Sequence, residues 1–118
     1  VIETPVGKIY HIGDTGFHEG RNFLAAGEKH GGFRLAILPV GAYEPRWFMQ
    51  GQHMNPEEAV IGMKLCGADH AAGHHWGTFR LTDEPITAPA EDLARALDKH
   101  GVAADRFRPL RPGEQMIL

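Results

Sequence analysis

The stretch Lys8-Ile9-Tyr10-His11-Ile12-Gly13-Asp14-Thr15-Gly16 limits the fold more than any other part of the chain. Apolar and polar side chains alternate up to Ile12, as in a strand with one buried face, and the pattern then stops at a carboxylate set between two glycines. Strands that end in Gly-rich turns are where α/β sheets expose chemistry, because the turn carries a side chain clear of the packed layers. Asp14 is therefore a candidate functional carboxylate. Asp is also a favoured helix N-cap, and local sequence alone leaves both roles open.

The following segments predict a layered α/β chain. Glu19 to His30 is a helix candidate closed by Gly31-Gly32, and Phe33 to Val40 is a nearly continuous apolar run. Such a run predicts a central strand with helices above and below. Asn55-Pro56-Glu57-Glu58 starts a helix with an N-cap, a first-turn proline and a capping box. Ala59, Met63 and Cys66 share one face of that helix, and Gly67 ends it. His70 to Trp76 reads as a third strand. Pro89 to Gly101 is the clearest helix, with acids early, Lys99 and His100 late, and a glycine stop. Phe107 to Leu110 and Gln115 to Leu118, joined by a Pro112-Gly113 turn, predict an edge hairpin. The order β-α-β-α-β-α-β-β is that of a layered α/β domain.

Between the second strand and the second helix, Gly41 to Met54 reads as a long loop carrying Trp47-Phe48-Met49. Three bulky apolar residues in such a loop either tuck under the domain or line a ligand groove. Carboxyl ends of neighbouring parallel strands face one crevice, which brings Asp14, the Gly41-Ala42-Tyr43 loop and His75 together. Imidazole and carboxylate are donors for zinc and similar ions, and a carboxylate can bridge two of them. His74 and His75 are expected to point to opposite faces, so one of them reaches the crevice. Asp14-Thr15-Gly16 also matches the aspartic-protease triplet, but the two capped helices argue against that nearly all-β fold.

Composition narrows the function classes. A net charge of −3 with no basic block lacks the footprint of a nucleic-acid binder. No apolar run approaches the roughly 20 residues of a membrane span. The single cysteine, Cys66, forms no internal disulfide; it is read as core packing and fits a reducing, cytoplasmic setting. The chain opens on Val1-Ile2-Glu3-Thr4-Pro5 without a start methionine or leader, as expected of a fragment.

Four blocks carry a resemblance: Ile12-Gly13-Asp14-Thr15-Gly16, Leu38-Pro39-Val40-Gly41-Ala42-Tyr43-Glu44-Pro45-Arg46-Trp47-Phe48-Met49, Gln52-His53-Met54-Asn55-Pro56-Glu57-Glu58-Ala59 and His75-Trp76-Gly77-Thr78-Phe79. In this order they resemble the C-terminal half of metallo-β-lactamase-fold hydrolases, nearest the branch containing N-acylphosphatidylethanolamine-hydrolysing phospholipase D. The resemblance implies an α/β fold that is half of a four-layer αββα sandwich, with residues 1-118 as the C-terminal half and the N-terminal half absent. It implies two divalent metal ions, zinc first, with manganese or iron as alternatives. Asp14 would bridge them and His75 would be a terminal ligand of one, leaving His74 outward or supporting.

His53 is carried over as a catalytic residue beside the metals, together with Asp14. Gln52, Tyr43, Trp47 and Phe48 are carried over to the substrate side. The family's His-x-His-x-Asp-His segment belongs to the other half, which becomes the expected partner; a second copy of the chain is a further one. The implied reaction is hydrolysis of a phosphodiester by a metal-activated water, on a small or lipid-like substrate, with peripheral membrane contact as an option. A lactonase of the same fold and a non-catalytic α/β module packed on a partner half are the alternatives.

Overall fold

The computed structural model describes residues 1–118. Its strands are β1 (Ile2–Thr4), β2 (Gly7–His11), β3 (Phe33–Pro39), β4 (Ala68–His74) and β5 (Phe107–Arg108); its helices are α1 (Arg21–His30), α2 (Arg46–Met49), α3 (Pro56–Leu65) and α4 (Ala88–His100). The sheet order is β1-β2-β3-β4-β5. β1 and β2 form an antiparallel hairpin, and β2 through β5 run parallel.

Each parallel strand lies beside the one before it, so the crossovers through α1, α3 and α4 all step in one direction. Right-handed crossovers that never reverse place their helices on a single face of the sheet. The core agrees: Phe23 of α1, Val60 and Met63 of α3, and Leu93 and Leu97 of α4 pack with Ala36, Leu38, Ala71 and Phe107 in one buried cluster. β3 is central, as its apolar run predicts, but helices do not cover both of its faces. Leu35 and Ile37 remain half-buried on the far side. One helical layer on one sheet is the αβ half of the four-layer sandwich expected from the sequence.

Two chain ends differ from expectation. Ile2–Thr4 adds a strand through the Pro5-Val6 turn, tolerable because β1 is an edge strand and the proline lies outside its ladder. The C-terminal hairpin is not formed. Phe107–Arg108 instead pairs parallel with β4, while Met116 and Leu118 line a groove on the helix-free face with Leu35, Ile37 and Ala72. That groove holds about 480 Å³.

The helix boundaries follow local chemistry. α1 starts two residues later than the sequence predicts, after a 3-10 turn at His18–Gly20, and Gly31 ends it in a left-handed conformation. At α3 the side chain of Asn55 accepts the Glu58 N–H at 2.8 Å, and Glu58 Oε2 accepts the Asn55 N–H at 2.9 Å. Asn55→Ala removes half of this box and is expected to cost about 1 kcal/mol, a Tm decrease of roughly 4 °C by calorimetry. An unchanged Tm would mean that α3 does not depend on its cap. No helix is long and apolar enough to cross a membrane.

Candidate metal centre

The cluster at the carboxyl ends of the parallel strands combines one carboxylate and two imidazoles. One ligand atom each from Asp14, His53 and His75 lies within 4.8 Å of the others. His75 Nε2 is 3.4 Å from Asp14 Oδ2, and the His53 and His75 rings are 5.1 Å apart between centroids.

Each residue is placed by its own element. Asp14 stands in the turn after β2, its side chain 53% exposed. α1 is capped by Gly20 without any side-chain bond, so Asp14 is not the helix cap that local sequence allowed. The Asp14 turn is docked by the Met54 N–H, which donates to Thr15 O at 2.9 Å. This docking requires Gly16, where a Cβ would meet Gln50 O at 2.6 Å and Gly51 O at 2.8 Å.

His75 lies just beyond β4 with φ at +62°, a left-handed conformation that costs a non-glycine residue of order 1–3 kcal/mol. Strand alternation therefore ends at His74. His75 turns to the cluster while His74 stays on the helix-free face, its ring 5.1 Å from that of His11. His53 follows α2, which forms inside the segment that the sequence suggests is all loop. Its N–H donates to Met49 O at 2.8 Å.

The donor set fits a divalent cation. Nδ1 of His53 and Nδ1 of His75 are buried without a hydrogen-bond partner. Ring nitrogens of His70, His74 and Trp76 are unpaired as well, so the donor character of the cluster rests on the convergence itself, with Nε2 of His75 facing Asp14. Burial lowers the His53 pKa, and the charge His75 would carry lowers it further, against the opposing pull of Asp14 and Glu84. His53 is thus neutral at pH 7, the form in which imidazole binds metal or accepts a proton.

The remaining sequence candidates lie in different surroundings. Trp47 and Phe48 are 79% and 69% exposed on α2, so they neither tuck under the domain nor join the core. Gln52 is exposed beside His53. Tyr43 is buried, and its hydroxyl donates to Asp92 on α4 instead of facing the cluster. Burial first, and the Asp92 hydrogen bond second, raise its pKa. Cys66 is buried in the core with its thiol raised to about 11 by burial, as the packing role predicts.

Two supporting residues are missed by the sequence reading. Glu84 accepts the backbone N–H groups of Ala42, Tyr43 and Glu44 at 2.7, 3.3 and 3.0 Å, and the Thr82 hydroxyl at 2.6 Å. Burial pushes its carboxyl pKa up, but these hydrogen bonds outweigh burial and the net shift is downward. Arg46 pairs with Glu58 at 2.8 Å. Both contacts join residues far apart in sequence, and nothing local marks them.

Burial drives the His74 pKa down to about 4, helped by the charge His11 would carry. The unfolded chain, with its histidine near 6.5, then binds more protons than the folded one, so stability rises with pH across this window. The urea midpoint of the metal-free chain should fall as pH drops from about 6.5 toward 4, and His74→Asn should flatten that fall. Identical pH profiles for the two proteins would contradict the burial of an uncharged His74.

A single helical layer on a mostly parallel sheet, with carboxylate and imidazoles gathered at its strand ends, defines a half-sandwich α/β chain with a metal-binding donor set. Comparison with known proteins gives the family: residues 1–76, which include all three cluster residues, match the beta-lactamase superfamily domain, and the chain belongs to that superfamily.

The chain is 47% identical over 92 residues to N-acyl-phosphatidylethanolamine-hydrolyzing phospholipase D 1 of Caenorhabditis elegans, covering 77% of this chain and 26% of that protein. It is 41% identical over 86 residues to the mitochondrial N-acyl-phosphatidylethanolamine-hydrolyzing phospholipase D of Saccharomyces cerevisiae, covering 72% and 18%. A metal-dependent hydrolase of Korarchaeum cryptofilum is 30% identical over 118 residues, covering 100% and 46%. The chain thus spans about a quarter of the length of the worm relative.

Proposed function

We propose that this chain is the C-terminal half of a metal-dependent phosphodiester hydrolase and supplies part of a dinuclear centre. The observation that carries the reading is the convergence of Asp14, His53 and His75 within 4.8 Å at the sheet's carboxyl edge. Similarity to two phospholipases D and to a metal-dependent hydrolase supports both the metal and the phosphodiester. Zinc is the first choice, because imidazole and carboxylate are among its standard ligands.

Divalent ions held here would lower the pKa of a bound water and stabilise charge on the attacked phosphoryl group. Asp14 and His75 would hold the metal, the carboxylate being a type of ligand that can be shared between two ions. His53, neutral at pH 7, holds or moves a proton at a ring nitrogen beside them. An N-terminal half with a His-x-His-x-Asp-His segment would contribute the other ligands. It would also cover the helix-free face that carries Leu35, Ile37 and His74.

The experiment is hydrolysis of bis-p-nitrophenyl phosphate and of simple lactones by the zinc-loaded assembly of this chain with such a half. Phosphodiester turnover lost on chelation supports the reading. Turnover of lactones alone would make the protein a lactonase, and a folded, inert assembly would make the chain a packing module.

Trp47 and Phe48, exposed on α2 a few residues before His53 in the chain, are assigned to the apolar part of the substrate. Covering such a ring contributes roughly 1.5–3 kcal/mol, so Trp47→Ser or Phe48→Ser should raise KM for a long-chain substrate about tenfold. Turnover of bis-p-nitrophenyl phosphate should not change. Equal losses on both substrates would remove these residues from the substrate side.

A further inference from the structure

The backbone around His53 is fixed by one guanidinium. Arg46 Nη1 donates to His53 O at 2.9 Å and to Tyr43 O at 3.3 Å. Its Nη2 donates to Glu58 Oε1 at 3.0 Å and Oε2 at 2.8 Å. The two nitrogens therefore do separate work, one holding loop carbonyls and the other anchored to the first turn of α3. Glu58 is itself fixed, since Oε2 also accepts the Asn55 N–H at 2.9 Å. The side chains of Arg46 and Glu58 are 26% and 25% exposed, shielded enough from water for the pair to hold its geometry.

His53 is held at three points: its carbonyl by Arg46, its N–H by Met49 O, and the next residue by the Met54 N–H to Thr15 O in the Asp14 turn. Two of these are bonds between backbone groups. The third depends on a side chain, and only a planar fork with two separate N–H₂ arms spans both Glu58 and the carbonyls. We propose that Arg46, anchored by Glu58, is a positioning residue that sets the His53 imidazole against His75 and Asp14. This deepens the reading of the cluster as part of a hydrolytic metal centre, and its test is independent of metal.

In the metal-free chain the nuclear Overhauser cross-peak between the His53 and His75 ring protons reports their approach, with centroids 5.1 Å apart. Arg46→Lys keeps the charge but leaves one nitrogen for two tasks. A displacement of roughly 1 Å, the scale at which site geometry fails, would weaken that cross-peak about threefold through its sixth-power distance dependence. The Tyr10–Phe33 cross-peak in the core, from rings 4.9 Å apart, should not change. Glu58→Gln keeps an acceptor for the Asn55 N–H while removing the anchor's charge, and should weaken the His53–His75 peak in the same direction with α3 intact.

A merely structural ion pair would lower Tm and leave the cross-peak at full intensity in both variants, and that result overturns the proposal. Zinc uptake by the unsubstituted chain, measured separately by calorimetric titration, tests the metal reading. Its failure would leave the Arg46 result standing.

Discussion

Asp14→Ala should abolish metal uptake by the cluster while leaving the chain folded. Asp14 supplies the only carboxylate among the three converging residues. Losing a supporting hydrogen-bond partner costs a metal site roughly 10–100-fold in affinity, and losing a direct ligand, the role proposed for Asp14, should cost more than that. Asp14's side chain is 53% exposed and lies outside the core, so stability should change by about 0.5 kcal/mol or less. Zinc titration followed by calorimetry, with a thermal melt of the same sample, separates the two effects. Unchanged zinc affinity and hydrolysis in the variant would remove Asp14 from the centre. A collapsed melt would return it to a structural role.

Gly41→Ala should be the most damaging single methyl group in the chain. A Cβ at this position would lie 2.0 Å from His75 O and 3.0 Å from His75 C, both backbone atoms with little freedom to yield. The ends of β3 and β4 would have to part there, beside the Val40 N–H to His74 O bond of 3.0 Å. Overpacking in a well-packed region costs about 1–3 kcal/mol, and a clash between backbones lies at or beyond the upper end. The expected Tm loss is roughly 10 °C or more. Zinc affinity should fall with it, because the same movement displaces His75. Gly51→Ala is the control, since a Cβ there meets nothing within 4 Å. Equal melts for the two variants would refute the close approach of the strand ends.

The sequence reveals the parts of this fold that local chemistry determines. The Asp14 turn, the Asn55–Glu58 capping box and the Gly101 stop are each written within a few residues, and each is found in the structure. Strand pairing is a different matter. Two residues of β5 suffice to pair with β4, so no alternation announces the partner, and the Gln115 to Leu118 run looks like a strand without forming one.

The number of faces a strand buries is also hidden. Phe33 to Pro39 is apolar enough for two covered faces, but crossover direction, a property of the whole chain, puts every long helix on one.

At the site, the meeting of Asp14 and His75 at the strand ends is legible, while the residues that hold the surrounding backbone are not. Arg46 and Glu58 are 12 positions apart, and Glu84 holds backbone about 40 positions away. Tyr43 shows the reverse error: a phenol in a promising loop turns inward to Asp92.

In the proposed centre Asp14 and His75 bind a divalent ion, with His53 beside it. The most direct measurement is a zinc titration of the ¹⁵N-labelled chain, following the imidazole nitrogens of all eight histidines. Saturable, correlated shifts are expected at His75 and His53 that vanish in Asp14→Ala, with His18, His30 and His100 unmoved. Uniform weak shifts across the histidines, or shifts that persist without Asp14, would contradict it.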